Sequence, residues 1–124
     1  MKYIIKKCQK CGALVRAIND CKCNNCGIKC CNEEMIELIP NSVDAAIEKH
    51  IPEYEIKDNK IYITVNHVME EDHYIEWISI VSDNKEYITY LKPGAKAKAE
   101  APYIKESTIY AYCNKHSLWK KEVN

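Results

Sequence analysis

The stretch EYEIKDNKIYITV, residues 53–65, decides the fold. Its residues alternate in character on either side of Asp58-Asn59, a pair suited to a tight turn, so the segment predicts two antiparallel strands joined as a hairpin. Toward the C-terminus the pattern repeats as HYIEWISIV (73–81), the turn SDNK (82–85) and EYITYL (86–91). Lys92-Pro93-Gly94 is a further turn signal, and STIYAYC (107–113) and SLWKKEV (117–123) close the chain as strands. Six or seven short strands at this spacing predict an antiparallel β-sandwich of immunoglobulin-like type. The run AKAKAEA (95–101) favours helix by propensity, but its seven residues would make a marginal one. It is read as loop and edge strand.

Toward the N-terminus, NSVDAAIEK (41–49) offers Ser42 or Asp44 as a cap for a short helical turn. Before it, KYIIK (2–6) and ALVRA (13–17) read as strands flanking a Cys8-x-x-Cys11-Gly12 turn, with MIELI (35–39) as a third. So small a unit cannot bury enough apolar surface to stand alone, and a metal clip there would be structural whatever else it did. The chain is therefore read as mainly β, with a small metal-stapled domain over 1–38 followed by the sandwich over 39–124.

Composition narrows the class of protein. Lys and Arg number 18, as do Asp and Glu, so zero formal charge argues against a nucleic-acid or membrane-binding face. The nine tyrosines and the absence of phenylalanine suit half-buried sheets. MKYIIKKCQKC has no apolar stretch of the kind a secretory signal needs, and no run approaches a membrane span, so a cytoplasmic protein is expected. In a reducing compartment eight cysteines are poor disulfide material, and thiolate ligation of metal becomes their leading use.

The metal-type residues fall into two sets. Cys8, Cys11, Cys21, Cys23, Cys26, Cys30 and Cys31 lie in the first 31 residues, whereas His50, His67, His73 and His116 follow them, with Cys113 three residues before His116. A soft sulfur-only region and a nitrogen-rich region with one thiolate imply two different sites. In the first, Cys8 and Cys11 share a turn, and a second pair completes a tetrahedral four-sulfur site for iron or zinc. Cys23-x-x-Cys26 has the spacing of a zinc ribbon, while adjacent Cys30-Cys31 would need a turn, because neighbouring side chains on a strand point to opposite faces. Spacing leaves both open.

In the second region, His67 and His73 would stand about 20 Å apart on one strand and about 120° apart on one helix, both unsuited to a shared ion. To bind one metal, residues 68–72 must fold back as a loop. Four imidazoles and one thiolate exceed the closed tetrahedron of structural zinc and leave one octahedral position for chemistry. A lone histidine is ordinarily a surface or core residue, but the shared turn-like contexts of all four weaken that reading for the set.

EKHIP (48–52), HVMEEDHYIEWI (67–78), LKPG (91–94) and YCNKHSLWK (112–120) closely resemble superoxide reductase. With Cys8, Cys11, Cys30 and Cys31 in front, nearly the whole chain resembles the two-iron form, desulfoferrodoxin. The resemblance implies a desulforedoxin-like N-terminal domain whose four-cysteine site (Cys8, Cys11, Cys30, Cys31) holds iron, or zinc in its place. It further implies a ferrous centre with four equatorial histidines, His50, His67, His73 and His116, and an axial Cys113 thiolate opposite a vacant position. Superoxide would be reduced there by one electron to hydrogen peroxide, without dioxygen, and the iron re-reduced by an external donor such as rubredoxin. Glu48 matches the family glutamate that can occupy the sixth position in the oxidised resting state, and Lys49 the lysine near the open face. A homodimer associating through the N-terminal units is also implied.

Lys49 beside the open position would concentrate an anionic substrate and could help deliver a proton. The chain departs from the family at Val68, where relatives usually carry proline, and in a longer segment containing Cys21, Cys23 and Cys26, read as bystanders. Two readings from other classes are a non-catalytic iron electron carrier and a zinc-ribbon interaction module fused to a β-sandwich.

Overall fold

The structure, a computed structural model, describes residues 2–23 and 27–124. It divides into two compact units, Met1–Ile39 and Pro40–Asn124.

In the first unit, β1 (Ile4–Lys7) is central in an antiparallel sheet, between β2 (Leu14–Ala17) and the short β5 (Ile36–Glu37). The register pairs Lys6 with Val15 and Lys7 with Ile36. The strand expected over 35–39 thus pairs at only two residues. Ile4, Ile5, Cys8, Ala17 and Met35 are buried, a small core of the size expected to need help. Between β1 and β2 the chain reverses within a tight turn, where Gly12 donates its N–H to the Cys8 carbonyl (2.9 Å) at φ 79, a left-handed conformation natural to glycine. The sequence pattern did not reveal the hairpin β3 (Lys29–Cys30) and β4 (Glu33–Glu34). Its turn residues Cys31 and Asn32 sit at φ 54 and 62, the left-handed pair of a two-residue hairpin.

The second unit is the expected sandwich. One antiparallel sheet has the order β10-β7-β6, from β10 (Lys98–Pro102), β7 (Lys60–Thr64) and β6 (Glu53–Lys57). The other has the order β12-β11-β8-β9, from β12 (Ser117–Glu122), β11 (Thr108–Cys113), β8 (Ile75–Val81) and β9 (Glu86–Tyr90). Ile61 and Ile63 of β7 and Ala101 of β10 pack in one core with Ile78 and Ile80 of β8 and Ile109, Ala111 and Cys113 of β11. Alternation in KIYIT is therefore literal, with Ile61 and Ile63 buried and their neighbours exposed. Asp58 and Asn59 adopt φ 51 and 65, as a two-residue hairpin turn demands. Residues 98–102 of the alanine-lysine run form an edge strand against β7, with Pro102 at its end where a missing N–H is tolerated.

The helical turn read over 41–49 is shorter than expected. A single 3-10 turn covers Ile47–Lys49, its N-cap is Ala46, and neither Ser42 nor Asp44 caps it. The cap residue is extended and offers no side-chain acceptor; closure comes from the His50 N–H to the Ile47 carbonyl (3.1 Å). The turn thereby ends on His50, the first nitrogen ligand candidate.

Candidate metal centres

Four separate segments of the sandwich unit deliver the nitrogen-rich set. His50 follows the 3-10 turn, His67 and His73 lie in the connection from β7 to β8, Cys113 ends β11, and His116 sits in the tight connection to β12. One donor atom from each of these five residues lies within 4.8 Å of all the others. His50 Nε2 is 3.0 Å from His116 Nδ1, and the Cys113 sulfur is 3.3 Å from His67 Nε2 and 3.8 Å from His116 Nδ1.

Local backbone chemistry explains the convergence. After β7, Val65 donates to the Ala97 carbonyl, and His67 then donates back to Val65 (2.9 Å), which swings the chain out of the strand. Glu70 and His73 exchange backbone hydrogen bonds of 2.9 and 3.2 Å, closing residues 68–72 into the fold-back that a shared ion requires. Gly94 donates to the Met69 carbonyl (2.8 Å) and fixes the loop from outside. At the end of β11 the register with β8 slips between Tyr112 and Cys113, and such a slip re-aims the side chains beyond it.

Two of the imidazoles are oriented as metal ligands usually are, with the far nitrogen tied to the protein. His50 Nδ1 lies 2.7 Å from the Ala46 carbonyl and His67 Nδ1 lies 2.5 Å from the Val68 carbonyl, leaving each Nε2 for the centre. Neighbouring rings meet edge-on at centroid distances of 4.7–5.1 Å. Burial holds the pKa values of His50 and His67 below the ordinary histidine value, which favours the neutral, ligating form. Burial also pushes the Cys113 thiol up, opposed by backbone N–H groups of Lys115 and His116. The sulfur is fully enclosed.

A divalent transition metal fits this donor set. Among the described residues the buried His73 Nε2 has no hydrogen-bond partner, an expensive state for a polar atom unless a cation accepts its lone pair. Imidazole suits iron and several other transition ions, and five donors leave a sixth octahedral position. Glu48 and Lys49 are exposed on the turn that leads into His50, and the Glu48 charge is felt at His50 as a small opposing rise in pKa.

The first unit gathers Cys8, Cys11, Cys30 and Cys31, with sulfurs again within 4.8 Å of one another. Cys11 and Cys30 sulfurs are 3.6 Å apart and those of Cys30 and Cys31 3.9 Å. Four sulfurs held about 2.3 Å from a tetrahedral ion would lie about 3.8 Å apart, so the cluster is already near that size. Adjacent Cys30 and Cys31 both reach it because Cys31 occupies the left-handed turn instead of continuing the strand. The N–H of Cys11, then that of Lys10, lowers Cys8 to about 6, whereas neighbouring thiols, Cys11 first, push Cys30 up to about 12. A thiol crowd that resists full ionisation by itself is what a cation relieves.

Cys21 and Cys23 are exposed and outside this group. Cys23 is disulfide-bonded, which the assignment of the cysteines to metal did not foresee, and Cys26 lies outside the described residues.

Sequence reasoning from spacing missed the supporting residues. Trp119 is buried, stacks on His50 and donates its indole N–H to the His116 carbonyl, and Asn114 binds the segment carrying His73. Their signal was the intervals between the ligands in YCNKHSLWK, which no ligand-counting rule reads.

An all-β chain with a four-imidazole, one-thiolate cluster in a sandwich and a four-thiol cluster in a separate unit defines a protein with two distinct metal-type sites. The chain belongs to the desulfoferrodoxin family: the Desulfoferrodoxin family model matches residues 42–122. It is 40% identical over 124 residues to the desulfoferrodoxin of Desulfarculus baarsii, covering 95% of this chain and 94% of that one. Identity to the desulfoferrodoxin of Nitratidesulfovibrio vulgaris is 39%, over 98% of this chain and 97% of the relative. In fold it is similar to the superoxide reductase of Treponema pallidum (TM-score 0.74, 20% identity, 98% and 99% coverage). It is also similar to the one-iron superoxide reductase of Giardia intestinalis, over 62% of this chain and 98% of that one (TM-score 0.56, 26% identity). No helix among the described residues is long and apolar enough to cross a membrane.

Proposed function

We propose that the protein is a superoxide reductase, whose substrate takes up one electron and two protons and leaves as hydrogen peroxide. The observation that carries this reading is the convergence of His50, His67, His73, His116 and Cys113 from four segments, with family membership beside it. These five residues would hold iron in the sandwich unit. When bound, the iron supplies a one-electron reductant and a Lewis-acid position for a small anion.

The protein's own groups do the rest. Cys113 supplies the thiolate, and the N–H groups of Lys115 and His116 temper how much electron density its sulfur donates. Lys49 Nζ draws the superoxide anion toward the site and passes a proton, directly or through water. Glu48, its neighbour on the same turn, would offer its carboxylate to the metal held there between turnovers. Cys8, Cys11, Cys30 and Cys31 hold a second iron, or zinc, that staples the N-terminal unit and is dispensable for the chemistry. A rubredoxin-type donor restores the electron, two chains associate through their N-terminal units, and the protein works in the cytoplasm.

The test is pulsed superoxide added to the reduced, iron-loaded protein and to its Lys49→Ala variant. Wild-type protein should remove superoxide far faster than buffer, and the variant should lose rate most at low salt. Superoxide decay no faster than buffer would instead leave a carrier of electrons or a structural module.

A further inference from the structure

We propose that Asn114 is a positioning residue that sets the place of His73 in the five-donor site. The inference rests on the reading of that site as a metal centre. Asn114 lies between two of the donors in sequence, directly after Cys113 and two residues before His116, yet its bonds run elsewhere. Its Nδ2 donates to the Asp72 carbonyl (2.9 Å), and its Oδ1 accepts the Tyr74 N–H (2.9 Å). Its backbone N–H is donated to the Tyr74 carbonyl (3.2 Å). Three bonds from one residue therefore grip the backbone immediately before and after His73.

His73 needs such a grip more than its partners do. His50 and His67 are oriented by carbonyls at Nδ1, and Trp119 braces His50 and His116. His73 Nε2 is buried with no partner among the described residues, so its direction is set through its backbone, by the exchange with Glu70 on one side and by Asn114 on the other. The Lys115–Asp72 ion pair (3.8 Å) spans the same two segments but is exposed, and such pairs contribute little. Asparagine is required because the carboxamide offers one donor and one acceptor in a plane. Aspartate would keep the acceptor for Tyr74 and set an oxygen against the Asp72 carbonyl.

The experiment uses the full metal-free chain with Co2+ alone as the probe, titrated against a chelator. The two sites are separated by their different thiolate charge-transfer bands. Asn114→Ala should weaken Co2+ binding at the imidazole site by between about ten- and a hundredfold. Asn114→Asp should fall between Ala and wild type, and the four-cysteine site should be unchanged. Thr108→Ala, which breaks the 2.8 Å bond from β11 to Glu122 on the neighbouring β12, should leave both sites unchanged and so controls for general loosening. In a His73→Ala background, Asn114→Ala should cost less than about twofold more, because the residue acts through His73. Undiminished affinity in Asn114→Ala, or the same fold-loss with and without His73, overturns the proposal. If His73→Ala alone binds Co2+ as wild type does, the reading of the metal centre fails first.

Discussion

Trp119 stacks on His50 with ring centroids 4.8 Å apart and an interplanar angle of 26°, while its indole N–H is donated to the His116 carbonyl at 2.8 Å. One buried ring thus braces two imidazoles whose nitrogens lie 3.0 Å apart. Trp119→Phe keeps a stacking ring but loses the bond and part of the buried volume, so it should cost about 1–3 kcal/mol of stability. Trp119→Ala should cost about 3–5 kcal/mol and loosen both histidines. Denaturant midpoints, with Co2+ affinity measured alongside, distinguish the two effects.

Ser117 closes the β11–β12 connection at φ 69, a conformation that L-residues pay for and glycine does not. Relief of that strain exceeds the extra chain entropy glycine brings to the unfolded state. Ser117→Gly should therefore stabilise the sandwich by about 0.5–1 kcal/mol. The urea midpoint should rise with no change in the steepness of the transition.

The N-terminal unit has few buried apolar side chains, whereas the sandwich core draws on both sheets. Stripping metal from the four cysteines should unfold the former and leave the latter folded. Amide protection by NMR should vanish across Ile4–Ala17 on chelation and persist in β8 and β11.

Cys113→Ser replaces the enclosed sulfur with a harder, weaker donor and should abolish the peroxide-forming reaction. Cys31→Ser should remove only the N-terminal centre and spare that reaction. Superoxide decay followed for both variants, with metal content determined, checks the pair, and full activity in Cys113→Ser would sink the assignment of the centre.

Much of the molecule is legible in the sequence where a local rule is also the deciding one. KIYIT alternates because one face is buried, EYEIK follows that pattern only at the half-buried Tyr54 with Ile56 exposed, and Asp58-Asn59 accepts the left-handed turn, so the hairpin is written locally. His67 and His73 could be joined only by a fold-back, and the Glu70–His73 exchange supplies it. Spacing alone left open which cysteine pair returns to Cys8 and Cys11, because the Cys31–Asn32 turn that lets adjacent cysteines converge has no strand-like pattern. Ser42 and Asp44 looked like caps by residue type, yet the turn begins later, where its geometry serves His50. Asn114 was invisible as a support because Asp72 and Tyr74 lie 42 and 40 residues away in sequence, and Trp119 because its local bond to the His116 carbonyl gains meaning only from its stack on the distant His50.

The central claim is reduction without dismutation, and stoichiometry tests it most directly. The protein is reduced anaerobically and mixed with substoichiometric superoxide, and peroxide formed and dioxygen evolved are measured per superoxide consumed. One peroxide per superoxide with no dioxygen is the predicted result; half a peroxide with matching dioxygen would contradict it.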